Sequence, residues 1–330
     1  TIAVEEFQSL RREVERAWSE MRLLAGGRTA QTSALQQLTN RLGDVATSEM
    51  LLRAADSGGL EDVEPEKLRD AARQIEDRLT VDVLFVTATK VETVALLDAF
   101  GFPAGTPPPR RTIGQLVYYD LGEHGGASAW LVQTAGTGTI GPGGATLIIL
   151  EGIDTLDPYW VLLVGIAFGV DESKQQLGDV LVANRIKTYE MQRVGTSEGK
   201  LVLTDRNVTI PPSHALLARL MSAELDAKVN VISGVILTGE KLIDNVDFRS
   251  SLLALSEEAI GGEMEAAGLW ASAELRKRDW GIVKAICDWG DGNKKVDKAS
   301  RQADAAGNSA AFVAHATREG LLTRPDTPTR

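Results

Sequence analysis

Apolar residues recur at spacings of three and four through the first quarter of the chain. Val4, Phe7, Leu10, Val14, Trp18, Met21 and Leu24 form one stripe, which Gly26-Gly27 ends. Ala34, Leu35, Leu38, Leu42 and Val45 form a second, and Ser57-Gly58-Gly59 breaks the chain after it. Pro65 opens a third segment, where its missing N–H costs little; Leu68, Ala72, Ile75 and Leu79 lie on one face of it. This spacing is that of amphipathic helices. It predicts a small all-helical domain over 1–79 whose stripes need burial, in a homo-oligomer, on the rest of the chain or on a protein partner. Nothing in it looks catalytic, so its expected role is oligomerisation or regulation.

From residue 80 the period changes. VDVLFVTA (81–88) is a short, nearly continuous apolar run, as in a strand buried on both faces. Further runs of this kind lie at 116–121, 128–135, 159–167, 179–186, 229–239 and 281–288. Helical stretches separate several of them, at 143–152, 214–225, 264–277 and 303–321, and another follows the first strand with Val94, Leu97 and Phe100 near one face. Strands alternating with helices predict an α/β domain over 80–324, with ligands at the carboxyl ends of the strands. The tail at 325–330 is expected to be disordered.

Composition narrows the chemistry. The net charge is −11, with no basic surplus to neutralise a phosphate backbone, so a general nucleic-acid binder is not expected. No run approaches the ~18 apolar residues of a membrane span, and the first residues show no basic segment followed by an apolar one. The expectation is a cytoplasmic protein that does not bind membranes. A single cysteine, Cys287, and three dispersed histidines leave neither an internal disulfide nor a cysteine zinc cage, so no metal is expected. Chemistry must therefore run mainly on carboxylates.

Four motifs supply them, each just after a predicted strand. TATKVET carries Glu92. AGTGTIGPGGA, with Gly136, is a glycine-rich loop running into a helix. GGEMEAAG carries Glu263, Met264 and Glu265 at a strand-to-helix junction. ICDWGDG places Asp288 at the end of the strand at 281–287. A carboxylate at the end of an apolar strand costs several kcal/mol to bury unless it is paired, so Asp288 is the hardest to dismiss as structural.

In the order and spacing of these motifs, roughly residues 81–318 resemble the nucleoside phosphorylase and nucleosidase superfamily. The nearest resemblance is to the adenine-specific hydrolases acting on methylthioadenosine and adenosylhomocysteine. It implies a nucleoside phosphorylase-like fold, a mixed central sheet flanked by helices, acting on a small-molecule purine nucleoside or nucleotide without a cofactor. Asp288 matches the general acid that protonates N7 of adenine as the glycosidic bond breaks. Glu265 matches the glutamate that accepts from the ribose 2′ and 3′ hydroxyls, and Met264 the apolar surface beneath the sugar. LTGEKLIDN resembles the base-contacting loop, which puts Leu242 and Ile243 near adenine. VGIAFG resembles a second lining loop, with Ile166 and Ala167. Hydrolases often carry a serine there that touches the acid, so Ile166 puts one supporting hydrogen bond in doubt.

Glu92 matches the glutamate that holds the attacking water, where phosphorylases carry a glycine and an arginine for phosphate. Hydrolysis is therefore expected, with phosphorolysis and a non-catalytic nucleoside-sensing module as alternatives. Lys90 stands where those hydrolases place an acidic residue, and Lys294, Lys295 and Lys298 follow the acid. They are either a solvated set or contacts for 5′ phosphates. With the helical N-terminal module and CDWGDG, the chain also resembles nucleosidase effectors of bacterial anti-phage systems, some of which degrade ATP.

Overall fold

A computed structural model describes residues 44–56, 64–76, 80–197 and 199–325, together with Arg12 and Gly58. The stripe expected at 4–24, most of that at 34–45, and the expected tail apart from residue 325 lie outside the described residues. The chain divides into two compact units, Thr1–Leu79 and Thr80–Arg330. In the first, α1 (Asp44–Asp56) packs on α2 (Pro65–Glu76). Met50, Leu51, Ala54 and Ala55 of α1 and Leu68, Ala71 and Ala72 of α2 are buried. Pro65 is the first residue of α2, the position where its ring fits a helix.

The second unit is a mixed sheet covered on both faces. Its strands are β1 (Val83–Thr87), β2 (Arg110–Ile113), β3 (Leu116–His124), β4 (Ala127–Gln133), β5 (Trp160–Gly169) and β6 (Val180–Thr188), then, after a separate ribbon of β7 (Gln192–Ser197) and β8 (Lys200–Asp205), β9 (Thr209–Ile210), β10 (Val231–Thr238), β11 (Ala259–Glu263) and β12 (Asp279–Asp288). The order is β11-β10-β6-β12-β5-β1-β4-β3-β2, with β9 on β6. β11 also pairs antiparallel with the end of β5, Gly261 opposite Gly169 and Gly262 opposite Phe168. That extra pairing closes β5, β12, β6, β10 and β11 into a ring of five strands.

Ring closure leaves a gap along β5. β1 runs beside β5 only as far as Leu163, and β11 takes over at Phe168. Between these points the edge of β5 that β1 and β11 share is open, and the carboxyl ends of β1, β5 and β11 meet there.

The helices are α3 (Lys90–Ala99), α4 (Ala145–Leu156), α5 (His214–Ala223), α6 (Val246–Ala254), α7 (Ala266–Arg276) and α8 (Lys298–Arg318). α3, α5 and α8 share one core with alternate strand residues, including Val83, Phe85, Leu96, Trp160, Leu216 and Phe312. α4 and α7 pack together on the other residues of the same strands. Gly152 of α4 comes so close that a Cβ there would lie 2.9 Å from Leu84. Of the face expected for α3, Phe100 is buried and Leu97 packs against the core, but Val94 is 43% exposed, and the residues buried within the helix are Glu92, Thr93 and Leu96. The turn that brings Glu92 inward favours that set, because residues at i, i+1 and i+4 fall on one side of a helix.

Candidate active site

Thr89 begins the construction. It caps α3, its hydroxyl 3.4 Å from the Glu92 amide, while Glu92 reaches back to the Thr89 amide, a capping box in which the acidic partner is also buried. Glu92 Oε2 accepts from the amides of Ala88 (3.0 Å) and Thr89 (2.7 Å) and from the Thr89 hydroxyl (2.9 Å). Oε1 accepts from the Ile166 amide at 2.8 Å, on the open edge of β5. A carboxylate offers about four acceptor directions, so Oε2 is saturated while Oε1 keeps room for one more donor. Gly165 makes the approach possible, since a Cβ there would lie 1.9 Å from Oε1.

The end of β11 supplies the second group. Glu263 Oε2 accepts from the Glu265 amide at 2.9 Å, and the Ala266 amide lies 3.0 Å from each Glu263 oxygen, so Glu263 satisfies the first free N–H groups of α7. That turn aims Glu265 at the cleft. Its Oε1 accepts from Gly138 N (2.9 Å) and its Oε2 from Lys284 Nζ (3.3 Å).

Lys284 is a residue the sequence reading missed. It lies in the middle of β12, wholly buried, with Glu263 Oε2 at 3.6 Å. Burial opposes its charge, but Glu265, Glu92 and Glu263 outweigh burial and push its pKa up. The signal was available: a lysine inside the apolar run IVKAIC must either find a carboxylate or pay for its desolvation. Burial is also the main cause that pushes Glu263 up, to about 7; Lys284 opposes the shift and Glu265 adds to it.

β12 ends in the third group. Asp288 is 4% exposed. Its Oδ1 accepts from the Gly290 amide at 2.9 Å; its Oδ2 has the Cys287 thiol at 3.2 Å and Lys294 Nζ at 3.3 Å. Burial and then Asp288 push the Cys287 thiol up, so it stays a neutral donor. These three partners hold Asp288, and the side chain at 166 is an isoleucine, which offers it no hydrogen bond.

One cleft is lined by Glu92, Ile166, Ala167, Leu242, Ile243, Glu263, Met264, Glu265 and Asp288, together with Thr89, Thr137, Phe168, Lys241, Lys294 and Gln302. Ile243 is buried; Leu242 stands at the mouth, 68% exposed. Two expected residues are not brought in. Lys90 is exposed, because it lies two residues, about 200° of helix, from the inward Glu92. Gly136 is exposed too, its amide bonded to Gly143 O at 3.3 Å, and the loop contributes Thr137 instead. Of the lysines after the acid, Lys294 reaches the cleft, while Lys295 and Lys298 are exposed outside its lining.

The glycine loop is filled by protein. Gly138 N is bonded to Glu265, and Thr139 N lies 3.1 and 3.2 Å from the Glu240 oxygens, which the Thr139 hydroxyl also reaches. Such paired amides readily bind anions; two carboxylates occupy these.

The family model of the phosphorylase superfamily matches residues 82–318. The chain is 25% identical over 256 residues to a death domain-containing ATP nucleosidase of Amphimedon queenslandica, covering 71% of this chain and 48% of that protein. It is 28% identical over 244 residues to the ATP nucleosidase Cap17 of Escherichia coli (strain KTE188), covering 65% of this chain and 47% of that one. The chain thus spans about half the length of these curated relatives. The solved 5′-methylthioadenosine/S-adenosylhomocysteine nucleosidase of Neisseria meningitidis, in complex with methylthio-immucillin-A, superposes with a TM-score of 0.60 at 20% identity. That match covers 72% of this chain and 98% of that one, and shows the same fold.

Proposed function

The chain belongs to the phosphorylase superfamily, and on that premise we propose that its α/β unit hydrolyses the N-glycosidic bond of an adenine nucleotide. The observation that carries this reading is the convergence of Asp288, Glu265 and Glu92 on one cleft whose glycine-loop amides are already bonded to carboxylates. An acid, a group complementary to a cationic sugar and an acceptor for water are the parts hydrolysis needs. A nucleophilic phosphate would meet Glu265 and Glu240 where it needs free donors.

In the proposed reaction adenine packs near Phe168 and Ile243, and Asp288 in its acid form donates a proton to N7. The C1′–N9 bond breaks and its electron pair leaves with the neutral base. Positive charge grows on the sugar, and Glu265 offsets it while accepting from the ribose hydroxyls. Glu92 Oε1 orients a water that forms the new C1′–O bond, and the proton released returns to solvent. Met264 supplies an apolar floor. Lys284 beneath Glu265 and Glu263 keeps three crowded carboxylates from repelling one another.

The two relatives named as ATP nucleosidases support a nucleotide over a nucleoside. Lys294 in the cleft lining supports it as well. A place in bacterial anti-phage defence, with residues 1–79 as the regulatory or oligomerising unit, belongs to the same proposal. The test is chromatography of incubations with adenosine, methylthioadenosine, AMP and ATP, with and without inorganic phosphate. Free adenine and a free ribose product, at a rate indifferent to phosphate, is the expected result. Strict phosphate dependence with a ribose 1-phosphate product would make the chain a phosphorylase. Tight binding without base release would make it a sensor.

A further inference from the structure

The ammonium of Lys294 stands between two acceptors of the cleft, Asp288 Oδ2 and Ile243 O, at 3.3 Å from each. Its side chain is 15% exposed. The backbone that carries it is tied down: Asp244 Oδ1 accepts from Gly292 N at 3.0 Å and from Lys294 N at 3.3 Å. Two neighbouring lysines, Lys241 in the lining and the buried Lys284, are committed elsewhere. Lys284 is locked beneath Glu265 and Glu263, and Lys241 pairs with Glu190. Lys294 instead holds the acid itself and a carbonyl of the base-contacting loop.

A base that takes a proton from Asp288 Oδ2 and donates an exocyclic N–H to Ile243 O needs the two atoms that the ammonium holds, so the ammonium must leave them. A nucleoside then displaces a buried cation and offers it nothing of opposite charge. A nucleotide brings an anion with it. We propose that Lys294 sets the substrate preference of the cleft: its ammonium is exchanged between the Asp288–Ile243 acceptor pair and a phosphate of the substrate. This rests on reading the site as an adenine nucleosidase. The exchange makes phosphate an entry condition as well as a contact, because substrates without one bear the displacement unrelieved. It also separates Lys294 from a residue that merely steadies Asp288, whose loss would harm every substrate alike.

The experiment compares wild type, Lys294→Met and Lys294→Arg by adenine release from adenosine, AMP and ATP, and by equilibrium binding of free adenine. Methionine keeps the length of the side chain and removes the charge; arginine keeps the charge. A charge-assisted hydrogen bond to phosphate corresponds to about ten- to a hundredfold in affinity. The methionine variant should therefore lose about that factor in kcat/KM for AMP or ATP. It should gain several-fold for adenosine and bind free adenine more tightly, whereas the arginine variant keeps the preference for nucleotides. Effects of the same sign on nucleoside and nucleotide, or unchanged adenine affinity in the methionine variant, would overturn the exchange. Adenine binding is read without turnover, so it decides the matter even where a variant is slow. Failure of the wild type to release adenine from any of the three substrates would overturn the nucleosidase reading itself, which is a distinct result.

Discussion

Glu263 makes no bond that the proposed chemistry requires, yet it holds the turn on which Glu265 depends. Its folded-state pKa is pushed up, to about 7, from an ordinary carboxylate value near 4.5. A raised carboxyl binds its proton more tightly folded than unfolded. Its stabilising contribution is therefore full below the unfolded value and is lost as pH rises through about 7. Melting temperatures from pH 5 to 8 should fall for the wild type relative to Glu263→Gln, which cannot ionise; parallel curves would place the titration elsewhere. Gly165 offers a second test. A Cβ there collides with Glu92 Oε1, so Gly165→Ala should cost about 1–3 kcal/mol as an overpacked site. Adding Glu92→Asp, one methylene shorter, should restore part of that stability without restoring adenine release. Additive losses in this cycle would show that the two residues do not meet. At this scale the carboxylates were legible, because each ends or follows a strand with a recognisable motif. Lys284 was legible only as a lysine in need of a carboxylate; which carboxylates it meets was not, because its partners lie 19 and 21 residues away and only the fold brings them beside it.

The glycine loop between β4 and α4 shows how an element changes meaning with its neighbours. Its sequence suits an anion, and its amides hold Glu265 and Glu240. Glu240→Ala frees the Thr139 amide and hydroxyl while leaving Glu265 in place. Adenine release by this variant should become sensitive to inorganic phosphate, as inhibition or as a phosphorolytic product; continued indifference would mean that the loop excludes phosphate by other means. Strands β1, β4, β5, β6, β10 and β12 were legible as apolar runs because helices cover both faces of the sheet. The edge strand β2, strand β7 and the two-residue β9 were not, since they are largely exposed and carry little apolar signal, and β8 was not because its apolar run, Leu201 to Leu203, is only three residues long. Helix α6 was missed for a related reason: Leu252 is the buried residue in its nine. The pairing of β11 with β5, which opens the cleft, depends on Gly261 and Gly262, where a Cβ would run into Phe168, and no periodicity announces it.

On the scale of the molecule, the proposed chemistry lies wholly within Thr80–Arg330. Thr1–Leu79 contributes none of the cleft's lining among the described residues. A truncation beginning at Thr80 should retain adenine release per folded molecule, and where the full chain is found to self-assemble or to answer an activator, the truncation should lose that property. Unchanged assembly and regulation in the truncated protein would remove that role from the first unit. If Asp288 is the acid of an adenine nucleosidase, one substitution at that position stops the reaction at bond cleavage. Asp288→Asn preserves shape and keeps one oxygen to accept from Gly290, but it sets an NH2 group where Oδ2 meets Cys287 and Lys294, and it has no acidic proton to give. Single-turnover release of adenine from ATP, measured with ATP affinity on the same samples, should fall by roughly 10²–10⁴-fold in this variant, with affinity not reduced. Near-normal release by the asparagine variant would contradict the account.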